Sequence, residues 1–276
     1  MAKSERFLIF IPCYRCEKQI PRTVAQLVGA ASLDCEVLVL DNRSPDGTLE
    51  AAIKAADSLK SVPVIVARND ENYGLGGSHK AAFDYAIKQG FDYLIVLHGD
   101  DQGNIADLLP MIEAGKHRDV DSLLGARFMA GARLQGYSAF RTFGNRVFNL
   151  LFSAVAGQRL YDLGAGLNLY KVESLKKFTW RFFGNDLTFN YYMILASAAW
   201  NWKLRFFPIS WREDDQLSNV RLFRQAKRTL GLLMNFAIAR KSFLSSNHSG
   251  RESGDYPFSI VHSNRRESSS DDATLR

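Results

Sequence analysis

The sequence predicts an α/β fold in which a mostly parallel sheet is flanked by helices. Short segments that are apolar throughout, as strands covered on both faces are, alternate with amphipathic helical patterns. The predicted strands are residues 7–12, 36–41, 63–68, 93–98 and 122–127. The predicted helices between them are residues 19–31, 48–60, 77–89 and 105–116. This alternation implies parallel strands joined by right-handed crossovers.

Beyond residue 130 the pattern becomes less regular. Further elements are predicted as a helix at 143–157, a glycine-rich turn into a strand at 161–170, a helix at 187–200 and a strand at 203–210. Residues 1–215 are therefore expected to form one domain, with a first half over 1–128 and a second half over 129–215.

The end of the chain is predicted to differ from this domain. No acidic residue lies between Asp215 and Glu252, and Arg221, Arg224 and Arg228 share one helical face, so residues 216–244 are expected to form a basic amphipathic helix. Such a helix either packs on the domain or contacts an anionic surface. Residues 245–276 are rich in serine and charge, and they are predicted to be a disordered tail.

Composition narrows the class of protein. The 276 residues carry a net charge of +6, which suits anionic partners such as nucleotide phosphates or lipid head groups; no nucleic-acid partner is expected. Cys13 and Cys16 form a C-x-x-C, but Pro21 in the following helix and the single further thiol, Cys35, disfavour redox and zinc sites. The absence of a signal-like start and of a long apolar segment predicts a reduced, cytoplasmic protein without a membrane span.

Polar clusters follow the predicted strands where each one ends. They cover residues 13–17, 41–46, 68–72 and 98–102, and ligands of such sheets bind beyond the carboxyl ends of the strands. Residues two apart on a strand point the same way, so His98 and Asp100 should share one side, with Asp101 turned away if the strand continues that far. Mg²⁺ commonly takes only one or two protein carboxylates and completes its shell with phosphates and water, which makes Asp100 a candidate ligand. Three roles are open for His98: a further ligand for Mn²⁺, a proton carrier, or a side chain that only hydrogen-bonds to the ligand.

Other motifs in the sequence give weaker evidence for a binding site. The first strand is not followed by G-x-G-x-x-G, and the chain has no P-loop. The glycine-rich segment 72–82 opens a helix and could approach a ligand closely, although a tight turn explains it equally well. Asp41 could accept hydrogen bonds from a ribose or a base, or cap a turn.

Six segments in order resemble the family 2 glycosyltransferases, which have the GT-A fold. They are IFIPCYRCEKQI, VLVLDNRSPDGT, ENYGLGGSHKAA, VLHGDDQ, GAR at 125–127 and DLGAGLNLY, and the resemblance as a whole covers about residues 6–215. The layout is most similar to the dolichyl-phosphate mannose synthase type, whose members load sugars onto polyprenyl phosphates. Two departures stand out: His98 replaces the first Asp of D-x-D, and the segment REDDQLSNVR keeps Arg212 and Ser218 but inserts carboxylates.

The resemblance implies roles for particular residues. Asp100, with His98, would hold Mg²⁺ or Mn²⁺, and Asp100 and Asp186 would be the catalytic residues. The implied donor-binding residues are Pro12, Tyr14, Glu17, Asp41, Arg68, Asn72, Gly74, Gly99 and Asp101. The implied acceptor-binding residues are Arg127, Asp162, Gly166, Arg212, Ser218 and Arg221.

The implied reaction is inverting transfer of a sugar from a nucleoside diphosphate sugar. A hydroxyl acceptor needs a base, for which Asp186 is the candidate, whereas a phosphate acceptor needs cations instead. The available cations are Arg127, Arg133, Arg141 and Arg221. A polyprenyl phosphate is the expected acceptor; alternatives are a saccharide hydroxyl in cell-surface polysaccharide synthesis, a non-catalytic nucleotide-sugar binder and a nucleotidyltransferase. The helix at 143–157 and the basic helix near 219–240 are expected to make peripheral contact with an anionic membrane.

Overall fold

One eight-stranded sheet organises the chain. The computed structural model describes residues 4–177, 179–213 and 222–265, and only the backbone of 222–224. The strands are β1 Phe7–Cys13, β2 Cys35–Asp41, β3 Val64–Asn69, β4 Tyr93–Leu97, β5 Ser122–Ala126, β6 Arg133–Gln135, β7 Leu167–Lys171, β8 Leu204–Pro208, β9 Ser210–Arg212 and β10 Phe258–Ser263. The order across the large sheet is β10-β3-β2-β1-β4-β7-β5-β8, and β6 pairs with β9 in a small second sheet.

Most strands of the large sheet are parallel, which confirms the predicted fold class. β3, β2, β1 and β4 run in one direction, as do β5 and β8. β7 is antiparallel to both of its neighbours, β4 and β5, and therefore joins the two predicted halves of the domain into one sheet. Its Leu167 stands opposite Leu97, so the start of β7 lies at the same edge as the end of β4.

Helices cover both faces of this sheet. They are α1 Ile20–Ala25, α2 Thr48–Ser58, α3 Gly74–Lys88, α4 Leu109–Glu113, α5 Ala139–Ala156, α6 Val172–Leu175, α7 Phe189–Ala199, α8 Leu222–Ile238 and α9 Arg240–Ser245. The predicted helices at 19–31 and 105–116 are each an α-helix joined to a short 3₁₀ segment. The first five predicted strands match the observed ones to within a residue at either end.

Two hydrophobic layers lie on the two faces. One contains side chains of α3, α7, α8 and α9, among them Phe83, Phe189, Phe236 and Phe243. The other packs α1 and α2 against β1 and β2. Because Phe236 and Phe243 are buried, the basic helical segment is part of the core rather than an appendage.

The prediction of a disordered tail from residue 245 onward is wrong for residues 246–265. β10 pairs antiparallel with β3, whose outer edge would otherwise present unpaired N–H and C=O groups. Asn264 fastens the end of this strand: its side chain accepts from Val64 N at 2.7 Å and donates to Ala56 O at 2.8 Å. Tyr256 is buried ahead of it. Residues 266–276 of the predicted tail lie outside the described residues.

None of the described helices is both long and apolar enough to cross a membrane.

Candidate active site

The polar loops after β1, β2, β3 and β4 meet at one edge of the sheet, as predicted. Asn42 N donates to Cys13 O at 2.9 Å, which joins the ends of β2 and β1. Gly99 N donates to Pro12 O at 3.2 Å, which joins the ends of β4 and β1. Asp41 therefore lies on the same rim as the loop that carries Asp100, because both follow parallel strands on either side of β1.

The Asp100 loop rests on the two buried thiols of the C-x-x-C. A Cβ at Gly99 would lie 2.8 Å from Cys13 Sγ and 3.3 Å from Cys16 Sγ, so only glycine fits beneath the turn. Thr23 Oγ1 donates to Gly99 O at 3.3 Å. Burial raises the pKa of the Cys13 thiol well above its usual value, which leaves it unreactive. These cysteines therefore pack and position the turn.

Asp100 is a carboxylate held in an unfavourable environment. Burial raises its pKa from the ordinary value to about 6, although the Gln102 backbone N–H donates to Oδ1 at 3.2 Å. A nearby positive charge would remove this penalty, because a cation favours the ionised form.

His98 lies beside this carboxylate in the chain, with its ring packed against Gly166. A Cβ at Gly166 would come within 2.7 Å of the ring, and His98 N donates to Gly166 O at 2.9 Å. Burial, reinforced by the charge of Arg127, lowers the pKa of His98 to about 4. The neutral ring has a buried Nε2 without a hydrogen-bond partner among the described residues.

These features fit a divalent cation that shares its shell with a ligand's phosphates. In the described part of the chain, no group of three or more His, Cys, Asp or Glu side chains could hold a metal. Asp100 and the unpartnered Nε2 of His98 supply at most two ligands, which is the number that suits a phosphate-bound Mg²⁺ or Mn²⁺.

Asp101 is fully engaged by other side chains, and because β4 ends at Leu97 the strand alternation behind its predicted orientation does not extend to it. Its carboxylate accepts from Arg22 Nε at 2.6 Å, from Gln26 Nε2 at 2.8 Å and from Arg212 Nη2. Its backbone has a φ of 59°, so the turn is tight. Asp101 thus ties α1 and β9 to the Asp100 turn, and its predicted contact with the donor stays a prediction.

Arg127 and Asp162 form a largely buried, bidentate ion pair at the end of β5. Arg127 Nε and Nη2 each donate to Asp162 at 2.8 Å, and Arg127 N donates at 2.9 Å. Burial disfavours the charged guanidinium, but the Asp162 carboxylate outweighs it and raises the pKa of Arg127. The charge of Arg127 also contributes to the pKa shifts of His98 and Asp100.

Among the residues predicted to bind the sugar donor, Asp41 is fully buried. It accepts from Ser44 N at 3.1 Å, and Arg68 Nε stands 3.1 Å from its Oδ2. Glu17 accepts from Gly47 N at 3.2 Å, at the start of α2, and Tyr14 is exposed on the rim. These contacts put the side chains on the rim, and their role in donor binding stays a prediction.

The glycine-rich start of α3 approaches another part of this chain rather than open space. Gly74 has a φ of 70°, and a Cβ there would lie 2.4 Å from Asn185 O. Gly76 N donates to Asn185 O at 2.7 Å and Gly77 N does so at 3.3 Å. The backbone of this glycine-rich segment is closely approached, as predicted. The group that approaches it is Asn185 of the same chain, where a ligand was expected. Asn72, one turn earlier, accepts from Asn42 Nδ2 at 2.8 Å.

Asp186 follows in the same loop, and its carboxylate is engaged by neighbouring side chains, so its predicted role as a base stays a prediction. Its Oδ1 accepts from Thr188 N at 2.9 Å and from Thr188 Oγ1 at 2.6 Å in the turn before α7, and its Oδ2 pairs with Arg228 of α8. Burial would raise its pKa, but the hydrogen bonds from Thr188 and the charge of Arg228 prevail and lower it. A general base works best with a pKa near the working pH.

The remaining arginines that were predicted to bind the acceptor each contact other residues of the chain. Arg212 donates to Asp101, Arg141 pairs with Glu213 at 2.5 Å, and Arg133 is exposed and donates to Ser210 Oγ at 2.8 Å. Ser218 and Arg221 lie outside the described residues.

Sequence reasoning missed a buried cluster behind the Asp186 loop, formed by Lys80, Asn185 and Tyr256. Tyr256 lies in the segment that was predicted to be disordered. The signal for that segment was FSIVHS at 258–263, whose β-branched and aromatic residues are typical of a strand.

Comparisons with known proteins bear on the family and on the fold of this chain. The sequence model described as Glycosyl transferase family 2 matches residues 8–179. An undecaprenyl-phosphate mannosyltransferase of Micrococcus luteus is 29% identical over 171 residues, which are 62% of this chain and 68% of that protein. A polyprenol monophosphomannose synthase of Mycolicibacterium smegmatis is 27% identical over 179 residues, covering 63% of this chain and 64% of that protein, just under two thirds of its length.

The fold also recurs in solved structures. Glucosyl-3-phosphoglycerate synthase of Mycobacterium tuberculosis, in complex with Mn²⁺, uridine diphosphate and glucosyl-3-phosphoglycerate, superposes with a TM-score of 0.60. The match covers 84% of this chain and 80% of that one at 12% identity, so it shows the shared fold alone.

Proposed function

The chain belongs to glycosyl transferase family 2, and from that premise we propose that it transfers a sugar from a nucleoside diphosphate sugar to a polyprenyl phosphate. The two curated relatives described above act, by their names, on undecaprenyl phosphate and on a polyprenol phosphate acceptor. The nucleotide would occupy the rim between Asp41 and Asp100, and the acceptor would approach from the side of Arg127.

The observation that carries the acceptor assignment is the buried cation beside the candidate metal ligands. Arg127 is held charged by Asp162 and its field reaches Asp100 and His98. Asp162 takes the Nε and Nη2 donors of Arg127, so an acceptor phosphate would meet the Nη1 side of the guanidinium in a charge-assisted hydrogen bond, which a neutral hydroxyl favours less. An anionic acceptor that attacks next to the donor's diphosphate is repelled by the negative charge of that diphosphate. A nearby positive charge offsets this repulsion.

The proposed reaction is a single displacement. An oxygen of the acceptor phosphate forms a bond to the anomeric carbon while the bond to the leaving diphosphate breaks, so the configuration inverts. The acceptor is already ionised, and no proton has to be removed. This agrees with the low basicity of Asp186, which is taken up by Thr188 and Arg228.

A divalent cation would be held by Asp100, with His98 as a second ligand. When bound, it would neutralise charge that grows on the leaving diphosphate. The protein's own contribution is to keep the Asp100 turn in place through Gly99 and Asp101, and to keep the His98 ring neutral and fixed against Gly166.

Two packed helices supply a surface that suits a lipid acceptor. α5 exposes Phe140, Phe143 and Leu150, and α8 exposes Met234 and Ile238. Neither α5 nor α8 contains an acidic residue. Exposed cations accompany them at Arg146, Lys227, Arg240 and Lys241. Apolar side chains with cations and no carboxylates are typical of helices that lie on an anionic membrane, so we place this surface on the bilayer.

The transfer assay compares two acceptors that differ only in the phosphate. The purified chain is incubated with Mn²⁺, GDP-mannose or UDP-glucose, and either undecaprenyl phosphate or undecaprenol. We expect lipid-linked sugar from the phosphate and none from the alcohol, and none when Asp100 is replaced by Asn. Transfer to the alcohol or to a saccharide, but not to the phosphate, would overturn the acceptor assignment.

Membrane contact is tested separately by flotation with vesicles rich in phosphatidylglycerol. The double variant Phe143→Ser/Leu150→Ser should float less than the unaltered protein at low salt. Val28→Ser, which removes a similarly exposed apolar side chain from another element, is the matched control and should float normally. Equal flotation of both variants and the unaltered protein would place the contact elsewhere on the molecule.

A further inference from the structure

A groove lies between α5 and the segment of chain that follows this helix. Its volume is about 670 Å³, and α5 forms one wall while residues 157–161 form the other. Leu150, which is 70% exposed, belongs both to this groove and to the apolar surface of α5. The groove is therefore continuous with the surface that we place on the bilayer.

Hydrogen bonds fix the shape of the groove. α5 ends at Gly157, whose φ of 70° turns the chain back towards the helix. Ser153 Oγ then accepts from Leu160 N at 2.9 Å, and Asn149 Nδ2 donates to Tyr161 O at 2.6 Å. The second wall is thus fastened to α5 in the free protein.

Two arginines line the groove without an anionic partner. Arg146 belongs to α5 and Arg159 to the second wall, and both are exposed. In the part of the chain that the structure describes, neither forms an ion pair or a hydrogen bond; Arg159 Cζ lies 4.8 Å from the centre of the Tyr161 ring. The described lining residues include no Asp or Glu. Two unpaired guanidinium groups suit a phosphate, because their planar donors can each bind two of its oxygens.

The position of the groove indicates a lipid phosphate that does not react. The candidate reacting groups, Asp100, His98 and Arg127, are not among the described residues that line it. A phosphate bound to Arg146 and Arg159 would therefore not be the one that attacks the sugar. The isoprenoid chain of an acceptor is uncharged and would leave both arginines unpaired, whereas the headgroup of an anionic phospholipid supplies the charge at the level where an amphipathic helix meets the bilayer.

We infer that this groove binds the headgroup phosphate of an anionic phospholipid, with Arg146 and Arg159 as its ligands. General attraction to an anionic bilayer depends on how many cations face it, whereas a discrete site depends on these two. Phe128 also lines the groove, and the centre of its ring lies 5.2 Å from Arg127 Cζ, so a bound lipid would bring the bilayer next to the acceptor side. The inference extends the proposed membrane contact and does not depend on sugar transfer.

Calorimetry with a monomeric lipid separates a site from general attraction to a surface. The probe is dihexanoylphosphatidylglycerol below its micelle concentration. We expect one bound lipid per protein and weaker binding of dihexanoylphosphatidylcholine. In the double variant Arg146→Gln/Arg159→Gln the Kd should rise about tenfold or more, the loss expected when charge-assisted hydrogen bonds are removed. Lys227→Gln/Lys241→Gln removes the same charge from exposed positions of α8 and α9 and should leave the Kd unaltered.

A second pair of variants changes the charge of the groove and keeps both arginines. Ala154→Asp places a carboxylate in the groove, in the last turn of α5, and should abolish binding of the lipid. Ala237→Asp makes the same change in the last turn of α8 and should bind normally. Both alanines are exposed, so neither substitution disturbs the core.

Three outcomes overturn the inference: no binding of the monomeric phospholipid, an equal loss in the arginine and lysine double variants, and normal binding in Ala154→Asp. Farnesyl phosphate tests the other source of a lipid phosphate. If its affinity falls in the arginine variant and that of the phospholipid does not, the groove belongs to the acceptor and the inference fails. Binding of the phospholipid by a protein that transfers no sugar would uphold the site, while the proposed function would fail.

Discussion

Replacing Asp100 by Asn should stabilise the free protein at neutral pH while it abolishes sugar transfer. The carboxylate is ionised at neutral pH in an environment that raises its pKa to about 6, mainly because the surrounding protein partly desolvates it. An amide of the same shape avoids that cost and still offers an oxygen to the Gln102 N–H.

The magnitude follows from the shift of the pKa. Its ordinary value is 3.8 and its value here is about 6, and about two units correspond to about 3 kcal/mol of unfolding free energy. Because the folded-state pKa is raised, the folded protein binds this proton more tightly than the unfolded chain does. The stability contributed by Asp100 therefore falls as the pH rises from about 4 to 6, and the advantage of Asn should be small at pH 4 and reach its full size above pH 6.

Urea denaturation of both proteins between pH 4.5 and 8 measures this difference. Mn²⁺ with a nucleoside diphosphate should raise the stability of the unaltered protein, by about 2.7 kcal/mol at a hundred times the Kd, and should not stabilise Asp100→Asn.

Asp101→Asn is the matched control, since it makes the same change one residue away. Its carboxylate is paired with Arg22 and Arg212, so the variant should be destabilised by about 1 to 3 kcal/mol. Equal effects of the two substitutions, or an Asp100→Asn difference that does not vary with pH, would refute the argument from burial. Retained metal-dependent transfer in Asp100→Asn would refute the metal role.

Three further substitutions test other parts of the site. Arg127→Lys loses the two-toothed pairing with Asp162, so the acceptor KM should rise about tenfold or more in steady-state kinetics; an unaltered KM would remove Arg127 from the acceptor site. Gly166→Ala places a Cβ 2.7 Å from the His98 ring, so the free energy of unfolding in urea should fall by about 1 to 3 kcal/mol. Mn²⁺-dependent donor binding should also weaken, and wild-type values of both quantities would contradict the packing argument. Asp186→Asn should leave transfer to a polyprenyl phosphate within about threefold, because no base is needed, whereas a loss of about a hundredfold would indicate a catalytic base.

Much of the site could be located from the sequence because it depends on strand ends. Continuous apolar segments predict buried parallel strands, and the carboxyl ends of such strands meet at one edge, so Asp41 and Asp100 were expected on one rim. Local pattern was sufficient for these inferences. Strand alternation could not predict the orientation of Asp101, because β4 ends at Leu97 and the residues that follow form a turn.

The pairings between distant residues could not be predicted in this way. Nothing in the spacing of Arg127 and Asp162 shows that they form an ion pair, and nothing near Gly74 shows that Asn185 would occupy the start of α3. The C-terminal segment was misjudged because its composition is polar, while its order depends on the free edge of β3 and on the contacts of Tyr256 and Asn264.

By itself, the sequence determined the class of fold, the rim and the family, because periodicity and short motifs are encoded locally along the chain. Only the tertiary structure decided the electrostatics of the site: which carboxylate is buried with a raised pKa, which is neutralised by arginines, and which lysine is enclosed. The reason is physical, since desolvation and charge pairing depend on neighbours that are brought together by folding and are far apart in the chain.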